Sequence, residues 1–167
     1  NWERLAAPEA ALSQKPLLGS FYRQQADFYA VRTDAFDLHL NPVLYLGLGE
    51  SNDLESRAFV NTRGVQLRGM IDKKIGFYTY LGENQARLPA YVQRFEDSTG
   101  VVPGQWFWKP FNGDAYDYFT ARGYVTYEAS KHVHLQLGHD QKKIGAGYRS
   151  LILSDFAPAY FFLKVQT

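Results

Sequence analysis

With 167 residues and a net charge of +1, the chain can hold one domain with a sizeable core, and its charge gives no case for binding nucleic acid. The absence of cysteine excludes disulfides, zinc thiolate centres and cysteine nucleophiles together. No run approaches the ~20 apolar residues of a membrane-crossing helix, yet 16% of the chain is aromatic, with 12 Tyr, 12 Phe and 14 Gly. A membrane β-barrel has such a composition because half of each strand faces a wet interior, although an aromatic-rich soluble sandwich shares it.

Residues 1–26 carry Pro8, Pro16 and an Ala/Glu-rich stretch, with Trp2, Leu5 and Leu12 as the sizeable anchors before Leu17 and Leu18. They read as a short helix or two plus irregular chain outside the sheet, on the periplasmic side. Asn1 is not an initiator Met and no signal peptide is visible, so the chain reads as mature, trimmed or a piece of something longer. Ala26–Arg32 favours a first strand. From Phe36 to Leu48 every even position is apolar (Phe36, Leu38, Leu40, Pro42, Leu44, Leu46, Leu48), while the odd ones read Asp37, His39, Asn41, Val43, Tyr45, Gly47. That alternation gives one oily and one polar or small face. It outruns the five or six residues usual in soluble sheets and the nine to eleven of a tilted membrane strand.

A polar segment, Glu50–Arg57, precedes a clear hairpin. Ala58–Ile71 descends, Asp72-Lys73-Lys74 turns, and Ile75–Gly82 returns. A second hairpin follows the same plan: Tyr116–Glu128, a turn at Ala129-Ser130-Lys131, and His132–Asp140. Between the hairpins, Glu83–Ala115 is too long for a hairpin loop in a compact domain. It contains a short helix starting near Pro89, with Tyr91 and Phe95 one turn apart, and then a Pro/Gly/aromatic stretch from Val101 to Phe111. Short turns therefore alternate with long loops, the asymmetry of bacterial outer-membrane barrels. The chain reaches Thr167 in what reads as mid-strand, and about seven strands fall short of the even number, eight or more, that closes a barrel. The expected fold is all-β: an antiparallel up-and-down transmembrane β-barrel, 27–167 forming the N-terminal part of a larger one, with a long extracellular loop at 83–115.

From Gly138 the chain runs Gly138-His139-Asp140, then Ile144-Gly145-Ala146-Gly147, then Ser150-Leu151-Ile152-Leu153-Ser154-Asp155-Phe156-Ala157-Pro158. This resembles the outer-membrane Wzi family of capsule-assembly proteins, which carries a glycine-flanked loop, a Ser-Leu-Leu-Leu-Ser-type run and an Ala-x-Pro. The family loop often reads Trp-Gly-Pro-Gly, where Ile144 and Ala146 replace the Trp and the Pro, and Phe156 stands where a polar residue is common. The resemblance covers about 25 residues. Asn61–Gly64, Glu83–Arg87 and Tyr116–Gly123 look like further family landmarks. It implies a large barrel in the bacterial outer membrane and a non-enzymatic role in holding exported polysaccharide at the cell surface.

Sugar binding needs flat rings to stack on pyranose faces and carboxylates or amides to fix hydroxyls. Trp106, Trp108, Asn112, Asp114, Tyr116 and Tyr118 supply both on the expected extracellular side; the alternative is that these rings form an interfacial girdle or pack the loop onto the barrel mouth. Arg63, Arg68, Arg122 and Arg149, with His134, His139 and Asp140, fall at or near lumen positions. They form either a polar track for an anionic glycan or an internal salt-bridge lattice. Ser150, Ser154, His134, His139, Asp140 and Asp155 are close in sequence, but no Gly-x-Ser-x-Gly elbow accompanies them. His132-Val133-His134 lacks carboxylates for a metal, and Gly145 and Gly147 lack the context of a phosphate loop. The expectation is a non-catalytic barrel without cofactor or metal, in contact with outer-membrane lipid, surface polysaccharide and other outer-membrane proteins. The alternative is a porin-like or structural subunit of a larger outer-membrane complex.

Overall fold

The computed structural model describes residues 26–50, 57–105, 107–147, 152–153 and 157–167. The N-terminal segment 1–25 therefore lies outside the described residues, as do Trp106, Arg149, Ser150 and Ser154.

The strands are β1 (Tyr29–Arg32), β2 (Phe36–Gly49), β3 (Ala58–Ile71) and β4 (Ile75–Arg87), followed by helix α1 (Ala90–Thr99). Then come β5 (Lys109–Phe111), β6 (Ala115–Ser130), β7 (Val133–Asp140) and β8 (Tyr160–Gln166). They form one antiparallel sheet in the order β1-β2-β3-β4-β6-β7-β8, with β5 against β6. Each long strand thus pairs with its neighbour in sequence. β1 and β8 are the two ends of the sheet and do not pair with each other, so it is open.

Turns and loops sort to opposite ends. At one end, 33–35, 72–74 and 131–132 connect strands; at the other, the connections are 50–57, 88–114 (with α1 and β5) and 141–159. The β3–β4 turn places Asp72 and Lys73 at φ of 48° and 56°, and the Lys74 N–H donates to Ile71 O at 3.1 Å. This is the primed geometry whose twist matches the flanking strands. At the far end of β4, Pro89 with φ of −56° precedes the helix, and Gly100 in the left-handed region closes it by donating to Glu96 O at 2.6 Å.

Register fixes what each face carries. Phe36, Ile71, Ile75, Tyr127, Leu135 and Val165 form one row across the sheet. The next row is Leu38, Gly69, Phe77, Val125, Leu137 and Leu163, where the Phe77 ring folds over the missing side chain of Gly69. Leu40, Leu67, Thr79, Gly123, His139 and Phe161 follow, then Pro42, Val65, Leu81 and Ala121. One row further the face turns mixed, with Arg63 paired to Glu83 at 3.4 Å between Leu44 and Phe119. The opposite face carries His39, Arg68, Tyr78, Tyr124, Gly138 and Phe162 in one row and Tyr45, Thr62, Asn84 and Tyr118 in another.

Burial is inverted relative to a water-soluble domain. Leu44 is 79% exposed, Leu137 61% and Phe161 85%, all on the apolar face. Leu40, Leu67 and Leu135 are half-buried by their neighbours in the sheet. The buried apolar residues among those described are Ala86, Ala90, Val102, Ala115 and Tyr116, whereas Asp27, His39, Thr62 and Asn84 are buried polar ones. A soluble sheet covers its oily face with a second layer; among the described residues none does so.

Three elements differ from the sequence-based expectation: β4, β5 and β6, the last running on to Ser130 through two of the three residues expected as its turn. β4 runs on from Gly82 to Arg87 because its β-averse polar residues are bonded across the sheet. Thr62 Oγ1 donates to Asn84 Oδ1 at 2.8 Å, and Asn84 Nδ2 donates to Thr120 Oγ1 at 3.0 Å and Tyr118 O at 3.2 Å. β5 has three residues, one of them Pro110, too short to show an alternation. The long connection therefore begins at residue 88, and eight strands are described rather than seven.

Candidate functional site

The long connection is held down by its aromatic residues. Trp108 meets Tyr116 edge-on, ring centroids 5.1 Å apart at 78°, and its indole N–H donates to Gly100 O at 3.3 Å. Tyr116, 6% exposed, directs its hydroxyl to Glu96 Oε2 at 3.4 Å, tying β6 to α1. Asp114 accepts from Arg87 Nε at 2.6 Å, and that guanidinium lies 5.5 Å from the Phe59 ring. Asn112 sits exposed at φ of 44° in the turn between β5 and β6. Trp108 and Tyr116 therefore touch each other, Asp114 is spent on Arg87, and Tyr118 lies further down β6 on the polar face.

The lumen candidates separate by strand parity. Arg68, Arg122 and Asp140 share the polar face, whereas Arg63 and His139 stand on the other one. His139 tilts against Phe161, centroids 4.8 Å apart, and its Nδ1 lies 3.0 Å from Ala121 O.

Arg68 belongs to a cluster at the β1–β3 side. Asp27, whose side chain is 2% exposed, accepts from Arg68 Nη2 at 3.0 Å and Asn41 Nδ2 at 2.8 Å. His39 Nδ1 lies 2.6 Å from Asp27 Oδ2, and its Nε2 lies 2.9 Å from Asp37 Oδ2. One carboxylate faces each ring nitrogen, so the three groups do not converge on a point where a metal could sit. Burial pushes the Asp27 carboxyl upward, but hydrogen bonds from Asn41 and His39, the neighbouring His39 and Arg68 outweigh it and hold the group below its ordinary value. Asn41 Oδ1 also accepts the Phe28 N–H at 2.7 Å, so the cluster pins the backbone ahead of β1.

Arg122 belongs to a second cluster at the β6–β8 side. Its guanidinium lies 5.0 Å from the Tyr80 ring centroid, and Nη1 donates to Gln141 Oε1 at 3.2 Å. Gln141 in turn donates to Ala157 O at 2.8 Å. Lys142 Nζ sits 4.3 Å from the Phe162 ring and 5.1 Å from that of Tyr124, which stacks on Tyr78 at 5.3 Å. A cavity of about 490 Å³ opens beside Arg122, lined also by Tyr80, Tyr118 and Gln141. That volume falls in the range of small-molecule sites.

No family model matches the chain, no curated protein matches it, and no solved structure matches its fold. The site is read from its own geometry.

Sequence reasoning did not single out Asp27, His39, Asn41, Tyr80, Gln141 or Lys142. The even-numbered alternation of β4 and β6 already placed Tyr80 on the face of Arg122. Gln141 and Lys142 lie just past β7, where no periodicity applies.

Proposed function

We propose that this sheet is part of the wall of a transmembrane β-barrel in a bacterial outer membrane, non-enzymatic, whose loop side holds surface polysaccharide. One observation carries the reading. A single layer of long strands leaves an oily face uncovered while its buried polar residues lie on the other face, the arrangement of a wall between lipid and a wet lumen. The fourteen residues of β3 extend roughly 45 Å at ~3.3 Å per residue, which at a ~45° tilt spans roughly the ~30 Å hydrocarbon core. In this reading further strands pair with β1 and β8 to close the barrel, because open edges in lipid leave unbonded backbone groups at several kcal/mol each. Short turns face the periplasm and the connections 50–57, 88–114 and 141–159 face outward.

The polysaccharide role rests on the resemblance of residues 138–163 to the capsule-assembly group and on the aromatic and polar residues of the loop side. Its test is retention of capsular polysaccharide by purified protein, wild type against Trp106→Ala and Trp108→Ala. Loss of retention with the strand spectrum intact supports the role, and unchanged retention removes these residues from it. The commitment of Trp108 and Tyr116 to holding α1 favours a second reading, a porin-like or structural subunit of an envelope complex. Ion conductance through the purified barrel, with no polysaccharide retained, would select that one.

A further inference from the structure

On one side β6 pairs with β4 without a break from Tyr116 to Tyr127; on the other its ladder has a gap. β5 pairs with Ala115, Tyr116 and Asp117, and β7 pairs with Gly123 and beyond, so on that side Tyr118–Arg122 has no neighbouring strand among the described residues. The 490 Å³ cavity occupies this gap, with Gln105 and Phe107 of the long connection on one side and Gln141 on the other.

Arg122, half-buried, lines the cavity with charge to spare. Arg32, Arg57, Arg63, Arg68 and Arg87 each meet a carboxylate. Among the described residues Arg122 meets none, and of the arginines there only Arg94, exposed on α1, is like it in that. Its Nη1 is committed to Gln141, and its Nε is shielded from water without an acceptor, as is the hydroxyl of Tyr160. A shielded donor without an acceptor is costly; Nε is closed to water and so to a ligand oxygen as well, which leaves the Nη1–Nη2 end of the guanidinium to meet one. Lys142 adds a second cation that rests on rings rather than on a carboxylate. The polar face is thus saturated with acid at β1–β3, around Asp27 and Asp37, and short of acid at β6–β8. Asp140, the nearest carboxylate in the strand pattern, accepts the Gln141 N–H at 2.8 Å.

We infer that this cavity binds a carboxylated sugar unit through Arg122. The Nη1–Nη2 end of the guanidinium is a two-donor fork that matches a planar carboxylate, Nη1 keeping its second N–H for Gln141. Tyr80 and Tyr118 line the cavity with rings and hydroxyls for a pyranose. The inference deepens the polysaccharide reading and rests on it for the natural ligand, an acidic glycan.

The test is titration of detergent-solubilised full chain with D-glucuronate, D-glucose and inorganic phosphate by calorimetry. The expected result is that glucuronate binds at least tenfold more tightly than glucose or phosphate. Arg122→Gln should weaken glucuronate by about tenfold, equivalent to about 1.4 kcal/mol. Arg122→Lys, which keeps the charge but loses the fork, should weaken it too, and Arg63→Gln on the opposite face should leave it unchanged. Equal binding of glucuronate and glucose, equal binding of phosphate, or an Arg122→Gln variant that binds like wild type would each overturn the inference. Should the variants fail to fold, the arginine Nε–H resonances of the wild-type protein decide: one must move with glucuronate and not with glucose, and immobility of all of them overturns the site. Glucuronate binding through Arg122 in a protein that retains no polymer would sink the anchoring role and leave the site. Polymer retention without glucuronate binding would sink the site alone.

Discussion

Asp27 shows how one residue can position a segment. Its carboxylate gathers Asn41, His39 and Arg68 from two strands, and Asn41 passes the connection on to the Phe28 N–H. Asp27→Ala leaves the Arg68 side chain without its acceptor and His39 with Asp37 alone, and a loss of about 2 kcal/mol is expected in a denaturant titration. The pH dependence has a definite sign. A carboxyl held below its ordinary value favours the folded state above that value and loses the contribution as pH falls through its lowered one. Protease cleavage ahead of β1 should therefore increase on acidification below pH ~4 in wild type, while Asp27→Asn should show that cleavage already at neutral pH. No part of this cluster was legible in the sequence apart from Arg68. Asp27 lies before the first strand, where no alternation assigns it a side, and only the β1–β2 and β2–β3 registers bring its partners together.

At the scale of the element, the strands were the most legible part of the chain. β3 has the bounds its pattern gave, because its β-favouring run lies between the polar sequence 50–57 and the charged turn after Ile71. The end of β4 was hidden because Glu83, Asn84 and Gln85 look like loop, and only cross-strand partners make a strand of them. Asn84→Ala removes three hydrogen bonds made by its amide nitrogen and strips Thr62 of its acceptor, so the upper part of β4 should lose about 1–3 kcal/mol. Amide hydrogen exchange would show this as faster exchange confined to residues 83–87 and their partners in β3 and β6. Gly69→Val would drive a side chain into the Phe77 ring and should slow assembly of the β3–β4 hairpin. Of the candidate sites, strand parity alone could separate Arg68 and Arg122 from Arg63. The unpaired state of Arg122 could not be read, since it follows from where β5 ends and β7 begins.

For the whole molecule, the account stands on what covers the oily face. Leu137 lies 61% exposed in mid-strand, so Leu137→Arg discriminates between environments. In water an exposed position tolerates such a change within about 0.5 kcal/mol. At the middle of a bilayer the same change costs about 2–4 kcal/mol, and folding into lipid vesicles should fall accordingly. The most direct measurement uses the absence of cysteine. Single cysteines at Leu67, Leu137 and Leu163 on one face, and at Gln66, Gln136 and Tyr124 on the other, can each carry an environment-sensitive fluorophore in protein reconstituted into vesicles. Lipids bearing a nitroxide in mid-chain should quench the first three labels and spare the second three, which aqueous iodide should reach instead. Labels at Leu67 and Leu137 that iodide quenches and the lipid nitroxide does not would contradict the account.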